Sequence, residues 1–326
     1  MRRNVLLATL TTMALLILSA SIVSPSTAIP SKAKDEIQYL YVNALAGDDG
    51  NPCNTSERAC RSLQAAFDRI PPILKEVVVV SVAAGTYTGE AVLMDRLSPR
   101  DLPIHVIGEK GVTILDGLGE LDTGIAVYRA PRVTLAGLSV TGFRRAGLSF
   151  AHTAPIEIST TRIFSNLGVG VQIQNTEAVM MESVVDANGG HGILCDVGRI
   201  DFSSLEGGKG MFISRNGGNG VRAIGCHAIF DAPAMVSLNR SGLVAEHGAE
   251  INLMSRTDVL VTGNTASSGG VIPPPDLPPI KPVPDSHLGL CELIADNHGL
   301  VAGYRNAPLV SACVCQESHF GVCEPD

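Results

Sequence analysis

The feature that most constrains this chain is a short pattern written three times, as Asn166-Leu-Gly-Val-Gly-Val171, Asn188-Gly-Gly-His-Gly-Ile193 and Asn216-Gly-Gly-Asn-Gly-Val221. In each copy Gly follows the Asn by two and by four positions, and a β-branched apolar residue follows by five. Looser copies stand at Asn239-Arg-Ser-Gly-Leu243 and at Asn264-Thr-Ala-Ser-Ser-Gly-Gly-Val271. The five Asn residues are 22, 28, 23 and 25 positions apart. Self-similarity at such a period is the signature of a solenoid or an array. Each period is too short for two helices and their turns. The segments between Asn residues, such as Val179–Val185, Met211–Ser214 and Val259–Thr262, are short apolar runs with frequent alternation, and they read as strands. The recurring Gly is expected to supply a positive φ, and the Asn to bond nearby backbone. A single coil of this kind cannot bury its inner face. Coils must therefore stack, which sets Asn166, Asn188, Asn216, Asn239 and Asn264 above one another as an internal amide ladder. The fold expected is all-β, a parallel β-helix, and the ladder Asn residues hold turns rather than ligands.

Residues 1–28 begin with Arg2 and Arg3, run through an apolar stretch from Val5 to Val23 and close on Ser26-Thr-Ala28. A charged start, an apolar middle and small residues at the end predict a secretory signal peptide cleaved near Ala28, with an uncleaved membrane anchor as the alternative. The paired Arg residues also loosely fit export of folded cargo. The expected location is secreted, periplasmic or cell surface, with no transmembrane span in the mature chain. Eight Cys suit an oxidising compartment. A net charge of −8 argues against nucleic acid held on a general basic surface. Aromatic residues make up 4% and Trp is absent, which leaves little material for stacking under sugars or bases.

Between Tyr39 and Phe67 the chain carries Tyr41-Val-Asn43, Gly47-Asp-Asp-Gly-Asn-Pro-Cys53 and Cys60-Arg-Ser-Leu-Gln-Ala-Ala-Phe67. A helix is expected over about 62–70, stopped by Pro71 and Pro72, with Leu63, Ala66, Phe67 and Ile70 on one face. Then come Val77-Val-Val-Val-Ser-Val-Ala-Ala-Gly-Thr-Tyr87, Ile104-His-Val-Ile-Gly108 and Val112-Thr-Ile-Leu-Asp-Gly117. This succession resembles the N-terminal segment and first coils of secreted right-handed parallel β-helix proteins of the pectin-lyase-like superfamily. The resemblance spans Tyr39 to Val271 and implies that the helix caps the open end of the solenoid. Cys53 and Cys60 flank the loop and are expected to bridge it. Asp48-Asp49 reads as a solvated loop, with a metal site as the alternative. Because the superfamily holds lyases, hydrolases, epimerases and proteins with no known catalysis, the resemblance informs fold more than chemistry.

The expected organisation is a leading segment over 29–75, coils over 76–271, a Pro-rich loop over 272–287 and a Cys-rich cap over 288–326. Seven of the twelve residues from Pro273 to Pro284 are Pro, which forces an extended path outside the sheets. Cys291, Cys313, Cys315 and Cys323 are expected to staple a last coil that caps the C-terminal end, with a separate domain or a metal site as alternatives. Cys195 and Cys226 stand 7 and 10 positions after their ladder Asn, which leaves their pairing open.

Candidate chemistry gathers in the central periods. Gly190-His-Gly192 resembles an active-site fragment of polygalacturonases, as do, less closely, Asn175-Thr-Glu177 and Arg199-Ile-Asp201. The adjacent Asp pair that accompanies that fragment in the family is absent from these periods, so His191 reads as a turn residue with catalysis as the alternative. A lyase on a polyuronate needs a cation to neutralise the carboxylate and a base for the C5 proton. Of six Lys, only Lys209 falls in the central periods. Arg144, Arg145, Arg215, Arg222 and Arg240 lie near turns and outline a basic strip for an anionic polymer, or else scattered solvated charge. Two readings follow. One is a non-catalytic extracellular or envelope glycan-binding or structural module. The other is a polysaccharide lyase or hydrolase on an acidic polysaccharide, with Lys209, Arg222, His191 and Asp196 as catalytic candidates and Asp186 or Asp201 as acid or metal partners. No cofactor is expected beyond calcium under the lyase reading. The expected partner is an acidic or neutral polysaccharide, taken up by a monomer.

Overall fold

A computed structural model describes residues 36–204, 208, 210–254, 259–262 and 264, together with the backbone of Leu293–Asp296, Leu300–Ala302 and Ala312–Val314. The segment expected to be a signal peptide, the Pro-rich stretch and the side chains of Cys291, Cys313, Cys315 and Cys323 lie outside the described residues.

Each period forms three short strands and three corners. The first face stacks Val77–Val82, Ile104–Ile107, Val133–Ala136 and Ile156–Ser159, then the C-terminal halves of Val169–Met181, Ile193–Ser203 and Asn219–Phe230, then Glu250–Leu253. The second face is an eight-stranded sheet from Gly85–Thr88 to Val259–Thr262. The third face runs from Ala91–Met94 through Thr123–Tyr128, Ala146–Ala151 and the N-terminal halves of the three long strands to Ser241–Glu246. Those long strands turn the corner between the third and first faces without a break, so both faces belong to one 16-stranded sheet. Every pairing is parallel, and the chain is a right-handed parallel β-helix.

Stacking makes the core columnar. Ile125, Leu148, Val171, Ile193, Val221 and Leu243 lie one above another on the third face, all fully buried. Phe202 and Phe230 stack on the first face with ring centroids 4.2 Å apart. At the N-terminal end, strand Ile37–Val42 pairs with Val77–Val82, and helix α1 (Leu63–Asp68) follows it. Ser62 caps α1 by accepting the Ala65 N–H at 3.2 Å, and Leu63, Ala66, Phe67 and Ile70 are buried as the apolar face requires. Cys53 and Cys60 are disulfide-bonded. Asp49 is occupied in holding that loop, its Oδ1 accepting the N–H groups of Arg61 and Ser62, each at 2.8 Å. Cys195 and Cys226 also form a disulfide. Their unequal offsets arise because Cys195 lies on the third face, just before its end, while Cys226, which stacks on Gly198, lies past the corner on the next coil.

The Asn ladder is continuous. The Nδ2 group of Asn166 donates to Asn188 Oδ1 at 2.9 Å, Asn188 to Asn216 at 2.9 Å, Asn216 to Asn239 at 2.8 Å and Asn239 to Asn264 at 3.0 Å. The same carbonyl oxygens take the backbone N–H of the Asn one coil below, and the ladder ends where Phe143 N–H meets Asn166 Oδ1 at 3.1 Å.

The expectation about glycine is overturned. The left-handed residue is the one before each of the first four ladder Asn residues: Ser165, Ala187, Arg215 and Leu238, with φ of 51°, 53°, 57° and 58°. None of the ladder glycines among the described residues has a positive φ. They are required by closeness instead, since a Cβ on Gly192 would stand 2.7 Å from both Asn216 Nδ2 and Gly220 O.

Candidate functional site

The corner between the second and third faces is where the ladder turns stack, and it carries His191. Directly above it the next turn is Gly217-Gly218-Asn219, whose glycines leave room for a ring. A Cβ on Gly218 would meet His191 Nδ1 at 2.6 Å, so only glycine lets the imidazole lie over this turn. The ring is fixed there because Asn219 N–H donates to His191 Nδ1 at 3.0 Å. With Nδ1 accepting, the single proton of the neutral ring sits on Nε2.

Nε2 faces Arg222 Nη1 at 3.4 Å. Two N–H donors thus point toward one another with no acceptor between them. Arg222 stands on the outer side of the third face and is anchored from the far side, its Nε and Nη2 both donating to Glu246 Oε2 at 3.1 and 2.7 Å. Burial pushes the His191 imidazole below its ordinary value, Arg222 pushes it further, Glu246 opposes, and Arg240 adds a smaller push downward. The ring is therefore held neutral at pH 7 among cations.

Chemically this arrangement can donate to an anionic oxygen. It offers no general base at His191, because the Nδ1 lone pair is taken and Nε2 carries the proton. Arg222 is half satisfied by Glu246, leaving Nη1 directed at the gap. Between coils the turn surface is bare backbone at Gly189, Gly190, Gly217 and Gly218, which stack through Gly190 N–H to Gly168 O at 2.8 Å and Gly218 N–H to Gly190 O at 2.7 Å.

Of the sequence candidates, His191 and Arg222 are brought together. Asp196 shares the third face but stacks on Ile224, one column away from Arg222, and no hydrogen bond joins it to either among the described residues. Lys209 lies outside the described residues; the strands on either side of it, Ile193–Ser203 and Met211–Ser214, lead from the first face to the second. Asp186 and Arg215 form a buried structural pair. The Asp186 side chain is 5% exposed, takes Ser214 Oγ–H at 2.8 Å, and is gripped by Arg215 Nε at 2.8 Å and Nη2. Asp201 is paired with Arg199 at 2.9 Å on the first face. Arg144 donates its Nε–H to Gly119 O at 3.1 Å, and Arg145 and Arg240 are exposed. The strip of basic residues is therefore only partly free: Arg215 is spent inside the turn, while Arg240 stays beside His191.

Glu246 and Asn219 are the members that sequence reasoning missed. Numbering each period from its ladder Asn aligns Ile224 with Glu246 once the shorter Asn239 turn is allowed for, but nothing in the letters says that Arg222 reaches diagonally to it.

No protein-family model matches the chain, and no curated protein matches it. Among solved structures it is similar to pectate lyase Pel9A, with a TM-score of 0.51, 14% identity, and 85% of this chain and 73% of that one covered. It is also similar to a rhamnogalacturonan lyase, with a TM-score of 0.47, 12% identity and 84% of each chain covered. The fold is a right-handed parallel β-helix, similar to that of pectate lyase Pel9A. Among the described residues no helix is long and apolar enough to cross a membrane.

Proposed function

We propose that this chain is a non-catalytic, extracellular glycan-binding β-helix, and that it takes acidic polysaccharide along the ladder-turn edge around His191, Arg222 and Arg240. The geometry that carries the reading is His191 Nε2 facing Arg222 Nη1 at 3.4 Å while Asn219 N–H occupies Nδ1, which assigns the ring proton to Nε2 and leaves two facing donors with no acceptor between them among the described residues. A carboxylate or sulfate oxygen placed against both would relieve their repulsion and accept two hydrogen bonds, at least one of them charge-assisted. Arg240, exposed beside His191, extends the positive field in the direction of stacking.

The same features disfavour depolymerisation at this place. A lyase needs a free base, and the ring lone pair that would serve is committed to Asn219. Export through residues 1–28 is part of the proposal, and the Cys53–Cys60 and Cys195–Cys226 disulfides fit an oxidising destination.

The test is binding of polygalacturonate, a sulfated glycan and a neutral glycan by the full chain, alongside release of reducing ends with and without calcium. The expected result is binding of one acidic polymer that weakens with salt and falls about tenfold or more in Arg222→Ala and Arg240→Ala, the size of a lost charged hydrogen bond. Release of reducing ends would overturn the non-catalytic reading. Equal binding of neutral polymer, unaffected by either substitution, would overturn the acidic one.

A further inference from the structure

A second concavity lies at the N-terminal end of the same corner, on the first coil, about 20 Å from His191 at the usual strand spacing. It holds about 240 Å³ and opens between the disulfide loop, the start of α1 and strand Gly85–Thr88. Its rim carries Asp49, Arg61, Thr86, Thr88 and Glu90, and its floor is apolar, made by Ala44, Leu63 and Leu115. Gly89 faces it from the corner, and a Cβ there would meet nothing within 4 Å, so the space above the turn is open.

The two carboxylates are preset. Oδ1 of Asp49 is fixed by the backbone N–H groups of Arg61 and Ser62, each at 2.8 Å. Oε1 of Glu90 is fixed by those of Asp122 at 2.6 Å and Thr123 at 3.0 Å. Burial works to raise Asp49, and the bonds from Ser62 and Arg61 outweigh it, so the group stays ionised near neutral pH. Arg61 is oriented in turn by its Nε–H, which donates to Gly47 O at 3.1 Å. Each fixed group therefore has a terminal atom remaining: the second oxygen of Glu90 makes no hydrogen bond among the described residues, and the Nη groups of Arg61 lie beyond its anchored Nε.

This lining selects by chemistry. Two carboxylates repel an anion, and the guanidinium between the loops repels an ammonium group. Strong acceptors, a strong donor and two threonine hydroxyls over an apolar floor suit a neutral polyol with an apolar face. The volume is below the roughly 300–1,000 Å³ of sites for drug-sized ligands, which limits the occupant to about one ring. We propose that this cleft binds a single neutral pyranose unit, with vicinal hydroxyls on Glu90 and Arg61 and the C–H face of the ring on Leu63 and Leu115. It is a site separate from the acidic-glycan edge and does not depend on it.

Saturation-transfer NMR of the full chain with methyl glycosides of neutral hexoses and pentoses tests the assignment. The expected result is transfer to at least one glycoside. That signal should fall about tenfold in Glu90→Gln and vanish in Thr88→Trp, which fills the cleft from an exposed position, while Arg222→Ala leaves it unchanged. Circular dichroism melts of both cleft variants should match the parent. Absence of transfer to every glycoside overturns the proposal, and so does transfer that survives in both cleft variants with unchanged melts. Because Arg222→Ala probes only the other edge, loss of polyuronate binding with retained glycoside transfer separates failure of one reading from failure of the other.

Discussion

Replacing Asn188 with Ala cuts the ladder at its second rung, and the structure sets the size of the effect. Asn188 is 1% exposed, and its side chain makes four hydrogen bonds. Its Oδ1 accepts from Asn166 N at 3.1 Å and Asn166 Nδ2 at 2.9 Å, and its Nδ2 donates to Asn216 Oδ1 at 2.9 Å and Ile163 O at 3.3 Å. The losses are unequal. Asn166 Nδ2 keeps Val140 O, and Asn216 Oδ1 keeps the Asn188 backbone N–H. The Asn166 N–H is left buried without an acceptor, which costs about 1–3 kcal/mol, and the remaining bonds add about 0.5–1.5 kcal/mol each. The expected total is about 2.5–7.5 kcal/mol, a large part of the stability of an ordinary domain.

Urea denaturation followed by circular dichroism reads this directly as a lower midpoint at unchanged slope. Leu167→Ala, on the adjacent exposed turn, should stay within about 0.5 kcal/mol of the parent. Asn188→Asp separates hydrogen bonding from shape. It keeps both acceptor contacts from Asn166 but aims an anion at Asn216 Oδ1 and Ile163 O, so at pH 7 it should be at least as unstable as Asn188→Ala. A loss below about 1 kcal/mol for Asn188→Ala would refute the view that the ladder is a major source of stability.

Three further outcomes follow from the same geometry. Breaking Cys195–Cys226 with Cys195→Ala and Cys226→Ala opens a loop with a sequence separation of 31 and should lower stability by about 3–4 kcal/mol on the chain-entropy view, read as a denaturation midpoint. Arg215→Ala leaves the Asp186 carboxylate buried without its cation and should cost about 3–5 kcal/mol; adding Asp186→Asn should recover part of that in a double-mutant cycle. The lowered His191 pKa means that the unfolded chain binds the proton more readily than the folded one. The His191 contribution is therefore complete above the ordinary value near 6.5 and is lost as pH falls through that value toward the folded pKa, a slope that should flatten in His191→Gln.

Much of the fold was legible because the solenoid repeats. Each period lays its residues over those of the previous one, so a single turn read correctly fixes all of them, and the Asn spacing alone placed the five rungs. The glycine roles were not legible for a physical reason. A glycine chosen for positive φ and one chosen for lack of a Cβ look identical in sequence, and only the register that brings Gly192 under Gly220 and Asn216 decides between them. The left-handed positions went to Ser165, Ala187, Arg215 and Leu238, none of which announces that conformation. Cys195 and Cys226 were ambiguous for a related cause: counting from the ladder Asn assumes that partners share a column, and this bridge crosses a corner.

The candidate site exposes what a repeat pattern leaves out. Register assigns each residue a column and a face, and by that measure Arg222, Asp196 and Glu246 are all outward on the third face. What separates them is the diagonal reach of one long side chain. Arg222 passes over its own column to Glu246, which neutralises part of its charge and turns Nη1 toward His191, while Asp196 stays behind Ile224. A catalytic constellation and a binding edge can therefore share the same letters at the same spacing. The proton on His191 distinguishes them, and its position follows from one backbone donor, Asn219 N–H, at a place in the repeat where the coils on either side carry His191 and Ser241. Moving that donor would change the chemistry of the edge without changing any charged residue. Asn219→Pro replaces the N–H by a ring carbon that crowds Nδ1, so the imidazole must swing off the turn and Nε2 is no longer held toward Arg222. If donation from Nε2 is what selects an anion, polyuronate binding should fall in this variant while the Arg222–Glu246 pair persists; unchanged binding would assign recognition to the arginines alone.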